Sequence, residues 1–345
     1  MRFFVPIILG ILILVGGSCS NQDQSEAAQF LLKGNLKLQR KEYTEAIRFY
    51  DEALAKKEDF ADVYSNRGIA YLRMGDDDKA LADFDKALQL DPKFMQAYFN
   101  RAGVLIERRA FNEAITDLEK IRKDYQDSTN YYLKWGDLKF GQGYYSQALA
   151  EYDRALTLQP QNVQALVNRG VVYFAQKAFG KAKADFEKAL QLDAMQPVAH
   201  NNLGLILARE NQLSQAEKYI NRALEFEPVN GIYLNNKGYV LLLQKQTSEA
   251  KKLIDMALQK MPQNSYAHRN LGLYWLEMNN KQEALAAFDK AYRLDPATDQ
   301  IHFLLGQALF DNNQKNEACD IWRKGKMLND TPSTQKWEQW CNTKK

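Results

Sequence analysis

An all-α array of helical hairpins is the fold this sequence predicts, and three in-register columns predict it. Steps of 34 from Gly34 give Gly34, Gly68, Ala102, Gly136, Gly170, Gly204, Gly238, Gly272 and Gly306. Twelve residues beyond each of these stands an alanine, from Ala46 and Ala80 through to Ala318, in all nine cases. Four residues further on stands a bulky side chain: Tyr50, Phe84, Leu118, Tyr152, Phe186, Ile220, Ile254, Phe288 and Trp322. The lattice needs no insertion or deletion. Nine units fill residues 27–332, divided as 27–60, 61–94, 95–128, 129–162, 163–196, 197–230, 231–264, 265–298 and 299–332.

Each signature has a mechanical reason. Unit positions 4, 7, 8 and 11 lie at helical spacing and make one face of a first helix; positions 20, 24 and 27 do the same for a second. Glycine at position 8 and alanine at position 20 let the two backbones approach, and position 24 fills the space beside them. The first helix ends near position 15, where Gly75, Gly143, Asn211, Asn279 and Asn313 tolerate a left-handed cap. Pro92, Pro160, Pro228, Pro262 and Pro296 stop the second helix. One hairpin cannot bury its own apolar face, so the units stack into a solenoid.

The ends depart from the pattern. The first unit carries Lys37 at position 11 and Glu58 at position 32. Residues 333–345 are expected as a capping helix and tail, with Thr331 or Ser333 at its start and Trp337 and Trp340 over the end of the last unit. The third unit has Ala102 for glycine, Ile121 for alanine and no proline. A local change of pitch and an ordinary drifted repeat are both open there.

These columns resemble the tetratricopeptide repeat (TPR) family over nearly all of the chain. The resemblance implies a right-handed superhelical solenoid that is not an enzyme and that binds a protein or extended peptide on its concave face. That face presents unit positions 2, 5, 6, 9, 12 and 13. Position 6 is asparagine in six units: Asn66, Asn100, Asn168, Asn202, Asn236 and Asn270. A primary amide offers a donor and an acceptor, matching a peptide unit in reverse. The column is similar to the asparagine ladder in the TPR part of O-linked N-acetylglucosamine transferases. Val171, Leu205, Tyr239, Leu273 and Arg209 complete the expected peptide-binding groove. The carboxylate clamp of chaperone-tail binding TPR domains is absent, since no unit pairs lysine at position 5 with asparagine at position 9.

Lys+Arg 46 against Asp+Glu 43 leaves no basic block for nucleic acid. Three histidines and three cysteines leave little material for a metal site, and no cofactor or small-molecule substrate is expected. His200, His268 and His302 all fall at position 4, a packing position, and are expected as ring fillers. The N-terminus MRFFVPIILGILILVGGSC has an early arginine, a short apolar run and small residues before Cys19. It resembles a bacterial lipoprotein leader, which implies removal of residues 1–18 and acylation of Cys19. Two or three acyl chains would hold the protein on a membrane. Ser20 after the cysteine resembles an outer-membrane address in the cell envelope. Residues 20–26 read as the body of a polar tether over 19–26. Cys319 and Cys341 are expected to form a disulfide that staples the terminal helix.

Together these imply a membrane-anchored scaffold or adaptor for an envelope complex. A self-associating structural element and a regulator of cell-wall enzymes are the alternatives.

Overall fold

The structure, a computed structural model, describes residues 14–342, with side chains from residue 21 onward. Residues 1–13, most of the expected leader, and the Cys19 side chain lie outside that description. The described residues form twenty helices and no strand. They divide into two compact units, one ending at Ala165 and one beginning at Leu166.

In the first unit the hairpins are α1 (Leu14–Gln39) with α2 (Tyr43–Lys56), and α3 (Ala61–Arg73) with α4 (Asp77–Leu90). Next come α5 (Met95–Glu107) with α6 (Phe111–Lys120) and the short α7 (Arg122–Tyr125), then α8 (Thr129–Gly141) with α9 (Tyr145–Leu158). Helix α10 (Val163–Ala175) runs from the last residues of the first unit into the second. The second unit continues with α11 (Phe179–Leu192), α12 (Pro197–Arg209), α13 (Leu213–Phe226), α14 (Gly231–Leu243) and α15 (Thr247–Lys260). It ends with α16 (Ser265–Glu277), α17 (Lys281–Leu294), α18 (Ile301–Asp311), α19 (Lys315–Met327) and α20 (Thr331–Trp340).

The core follows the three columns. The position-20 alanines and the position-24 side chains, from Ala46 and Tyr50 to Ala318 and Trp322, are buried at 0–1% exposure. Where the column is glycine, an added Cβ would come within 3.0 Å of the facing helix; the third repeat accommodates Ala102 instead. A Cβ on Gly204 would sit 2.6 Å from Ile220 Cγ1 and 2.9 Å from the Ala216 carbonyl oxygen. The second neighbour is backbone, so no rotamer change relieves it. Gly204→Ala is expected to cost about 1–3 kcal/mol through overpacking, read as a lowered urea midpoint. An unchanged midpoint would show that α12 and α13 can separate freely.

The left-handed cap is more general than the sequence suggested. All nine position-15 residues have positive φ, including Lys41 (φ 63°), Arg109 (φ 61°), Lys177 (φ 58°) and Lys245 (φ 64°) besides the glycines and asparagines. The repeat geometry imposes the conformation, and long side chains tolerate it at a small local cost.

Three departures shape the ends and the middle. Residues 20–26, expected as a tether, are part of the continuous helix α1, where Lys56 Nζ lies 2.6 Å from Glu26 and 3.7 Å from Asp23. A low apolar content does not prevent this, because extending a helix already nucleated and docked costs little. In the third repeat the second helix breaks between α6 and α7 at Ile121, which is itself fully buried. Isoleucine is larger than the alanine, or in the ninth repeat Gly325, of the other repeats, and the interruption falls at that residue. At the far end Ser333 of α20 is fully buried against Gly325, and a disulfide joins Cys319 of α19 to Cys341 with Cα atoms 5.6 Å apart. Trp340 is half exposed, with its ring 5.0 Å from that of Phe310, and Trp337 lies under Lys326 Nζ at 4.3 Å.

Candidate functional site: the inner helical face

The first helix of each hairpin carries the residues expected in the groove. In the first unit, Asn66 Nδ2 donates to Asn35 Oδ1 at 2.9 Å, and Asn35 Oδ1 also accepts from Tyr50 Oη at 2.8 Å. Asn100 accepts from Gln96 at 3.0 Å, and its own Nδ2 is buried without a partner. The fourth repeat departs from the column with Lys134, whose ammonium lies 4.5 Å from the Phe99 ring centroid. Burial pushes the Lys134 pKa below the usual lysine range, against the opposing charges of Asp137 and Glu107.

In the second unit the amides bond to one another. Arg269 donates to Asn270 Oδ1 from Nη2 at 2.8 Å and from Nε at 3.2 Å. Asn270 Nδ2 donates to Asn235 Oδ1 at 2.8 Å, Asn235 Nδ2 to Asn236 Oδ1 at 3.3 Å, and Asn236 Nδ2 to Asn201 Oδ1 at 2.9 Å. This chain of hydrogen bonds links α16, α14 and α12. Asn270 is 1% exposed with its carbonyl and amino ends both engaged. Both ends of the Asn236 amide are engaged as well. Neither amide is idle in this arrangement, and a strand laid along the face would have to break an internal bond to use them. Asn202 differs: it is half-buried and donates back to the Val198 carbonyl of its own helix at 2.8 Å. Asn168 is half-buried on α10 and has a partner within the chain.

The position-9 residues Val171, Leu205, Tyr239 and Leu273 are all half-buried. Three exposed apolar residues of this face share position 2: Val198, Ile232 and Tyr266 are 38%, 46% and 42% exposed. They stand 34 residues apart and so recur in register on α12, α14 and α16. Sequence reasoning named their position but not the residues.

A charged cluster completes the face. The buried Arg269 guanidinium lies between the rings of Tyr239 and Tyr266, 5.1 and 5.2 Å from their centroids, and donates to the Asp299 carbonyl at 3.3 Å. The Asp299 carboxylate accepts from Lys177 Nζ at 3.0 Å and Arg209 Nη1 at 3.4 Å, although these partners are 122 and 90 residues away in sequence. Arg209 also rests on the Phe179 ring at 4.5 Å. Burial raises the Asp299 pKa, but the Lys177 hydrogen bond and the Lys177, Arg209 and Arg269 charges outweigh it and hold the carboxyl below its ordinary range.

A second set of residues escaped sequence reasoning. Arg67 forks onto Asp83 of its own repeat at 2.7 and 2.8 Å and reaches Asp51 of the preceding repeat at 2.6 Å. Arg101 does the same with Asp117 at 2.6 and 2.8 Å and with Asp85 at 2.6 Å. Arg169 forks onto Asp185 at 2.7 and 2.8 Å. The signal was present as arginine at position 7 facing aspartate at position 23. These are staples within and between repeats, away from the inner face.

The histidines sit among rings and backbone. His200 lies 5.8 Å from Tyr219 and 6.2 Å from Phe226, with Nε2 at 2.9 Å from the Ala194 carbonyl. His302 meets the Tyr292 ring edge-on at 5.4 Å, and His268 Nε2 lies 3.0 Å from the Pro262 carbonyl. Burial depresses the pKa of His200 and His302 below the ordinary 6.5. The unfolded chain then binds more protons than the folded one as pH falls below about 6.5, so stability is present above that value and is lost toward pH 5. Melting temperatures at pH 7.5 and 5.5 should separate less in a His200→Phe, His302→Phe variant than in the natural chain; an equal drop in both would refute this origin.

Among the described residues, no group of three or more His, Cys, Asp or Glu is placed to hold a metal ion, and no helix is long and apolar enough to cross a membrane.

Family models of the tetratricopeptide repeat match residues 61–94, 163–194, 179–231, 201–265 and 265–298, and a TPR repeat model matches 34–75 and 136–177. Comparison with curated proteins gives no match. The Cut9–Hcn1 hetero-tetramer of the APC/C superposes with a TM-score of 0.64 at 14% identity, over 92% of this chain and 76% of that one. A tetratricopeptide repeat protein from Parabacteroides merdae superposes with a TM-score of 0.53 at 17% identity, over 72% of this chain and 98% of that one.

Proposed function

We propose, of a chain that belongs to the tetratricopeptide-repeat family, that it is a non-catalytic scaffold which holds a segment of a partner protein on the inner face of its second unit. The observation carrying this reading is the register of Val198, Ile232 and Tyr266, all more than a third exposed on successive first helices. Apolar side chains repeated along one face suit the alternate side chains of an extended segment. The amide network beneath them supplies a stiff floor, since each amide is already oriented by its neighbour. Asn202 and Arg209 are the polar groups of the expected groove that remain best placed to turn toward a ligand.

The lipoprotein-like leader supports a tether through acylated Cys19 at the bacterial envelope, on the outer membrane. The scaffold would then gather a partner into an envelope complex.

A photoreactive residue at Ile232 tests the binding reading in cells. The expected product is a crosslink to one partner protein, lost when Tyr266→Arg is introduced. Crosslinks only between copies of this chain would support a self-associating element instead. A Cys19→Ser variant is expected to leave the membrane fraction; retention there would refute the lipid anchor.

A further inference from the structure

The segment before α18 breaks the repeat. The first helices α3, α5, α8, α10, α12, α14 and α16 all begin at the first residue of their lattice unit, whereas α18 begins at Ile301, two residues after the lattice start at 299. Asp299 and Gln300 are left outside the helix, and Gln300 takes a left-handed backbone (φ 62°) that, among the described residues, no other first helix shows at its start. The strain is held in place from both sides. Thr298, 2% exposed, donates through Oγ1 to Ser265 Oγ at 2.7 Å, and buried Arg269 grips the Asp299 carbonyl. The result is one carboxylate presented to cations of two distant repeats.

The charges do not balance around it. Lys177, Arg209 and Arg269 surround the single carboxylate of Asp299. Two acids on the same helical hairpins have cations of their own: Glu277 lies 2.6 Å from Lys245 and Glu210 lies 2.9 Å from Lys183. Lys177 and Arg209 keep 67% and 42% of their side chains exposed, while Asp299 keeps 22%. The cations are thus open to solvent while the acid is largely covered. Val198 stands about three turns before Arg209 on the same side of α12, and Ile232 holds the equivalent lattice position on α14; both are exposed apolar residues.

Resting on the groove reading above, we propose that Lys177 and Arg209 are a recognition site for a side-chain carboxylate in an acidic, otherwise apolar segment of a partner protein, and that Asp299 fills this site when no partner is bound. The internal carboxylate has the chemistry of the expected ligand. A partner acid replaces it in kind, with its apolar neighbours laid over Val198 and Ile232. The exchange costs little charge desolvation, because two cations exchange one carboxylate for another.

The test uses the full mature chain and two short leucine-rich peptides, amidated at the C-terminus, that differ by a central glutamate or glutamine. Binding is read by fluorescence anisotropy. Asp299→Asn preserves the backbone contact to Arg269 and removes the competing charge. It should tighten glutamate-peptide binding, by about tenfold for a site that Asp299 leaves open in roughly one molecule in ten, and leave the glutamine peptide unchanged. Lys177→Asn, which suits the left-handed conformation, combined with Arg209→Ala should abolish the preference for glutamate, with circular dichroism showing retained helix. Equal effects of Asp299→Asn on both peptides, or a preference that survives the double variant, would overturn the carboxylate site while leaving the groove. Failure of both peptides to bind any variant would overturn both readings.

Discussion

Arg101→Ala is expected to lower the stability of the first unit by about 3–5 kcal/mol, the cost of removing one partner from a buried ion pair. Asp117 is 1% exposed and receives both prongs of the Arg101 fork. Without the guanidinium its carboxylate is buried with no compensating charge, and burial already pushes its pKa upward while Arg101 opposes that push. Replacing both partners, as in Arg101→Met with Asp117→Leu, should recover most of the loss, because the uncompensated charge goes with its partner. Urea denaturation of the two variants is the measurement. Equal losses in the single and double variants would show that Arg101 acts through its packing, not its charge.

Arg269→Leu is expected to cost about 3–5 kcal/mol in the second unit, as with other broken buried networks. The substitution leaves the Asn270 and Asp299 carbonyl oxygens without their donor, each worth about 1–3 kcal/mol when buried and unpaired. It also empties the space between the rings of Tyr239 and Tyr266. Arg269→Lys should recover only part of the loss, since one ammonium cannot replace a fork that spans the Asn270 amide and the Asp299 carbonyl. Long arrays do not melt as one unit, so the loss should appear as faster amide exchange in α16 and α18 before any shift of the main transition. Unaltered exchange in those helices would contradict a supporting role for Arg269.

The fold was legible because its determinants are local and periodic. Gly204, Ala216 and Ile220 sit at fixed offsets that recur along the chain, and a period needs no knowledge of tertiary contacts. The left-handed caps were legible where Gly75 and Asn211 marked them but not at Lys41 or Lys177, whose side chains carry no such signal. The inner face was legible by position but not by bonding. The position-6 asparagines were visible as a column. That Asn236 and Asn270 spend their amides on Asn201 and Asn235 depends on how far apart adjacent helices stand, which no single repeat encodes. The Asp299 contact was less accessible still. It depends on the summed rotation of several repeats together with one irregular turn at Gln300. The Cys319–Cys341 pairing was readable because only those cysteines remained beyond the leader and one lay on an expected terminal helix.

That disulfide also changes how the array comes apart. A terminal repeat has a neighbour on one side only, so a linear array ordinarily unzips from its ends, losing the last helix first. The bridge spans a sequence separation of 22 residues between α19 and the residue that follows α20, and denies the last helix its own separate release. Under a pulling force at the C-terminus, the load passes through the bridge to Cys319 on α19, bypassing α20. Oxidised and reduced chains should therefore yield at this end in different steps, with a short early extension seen only after reduction.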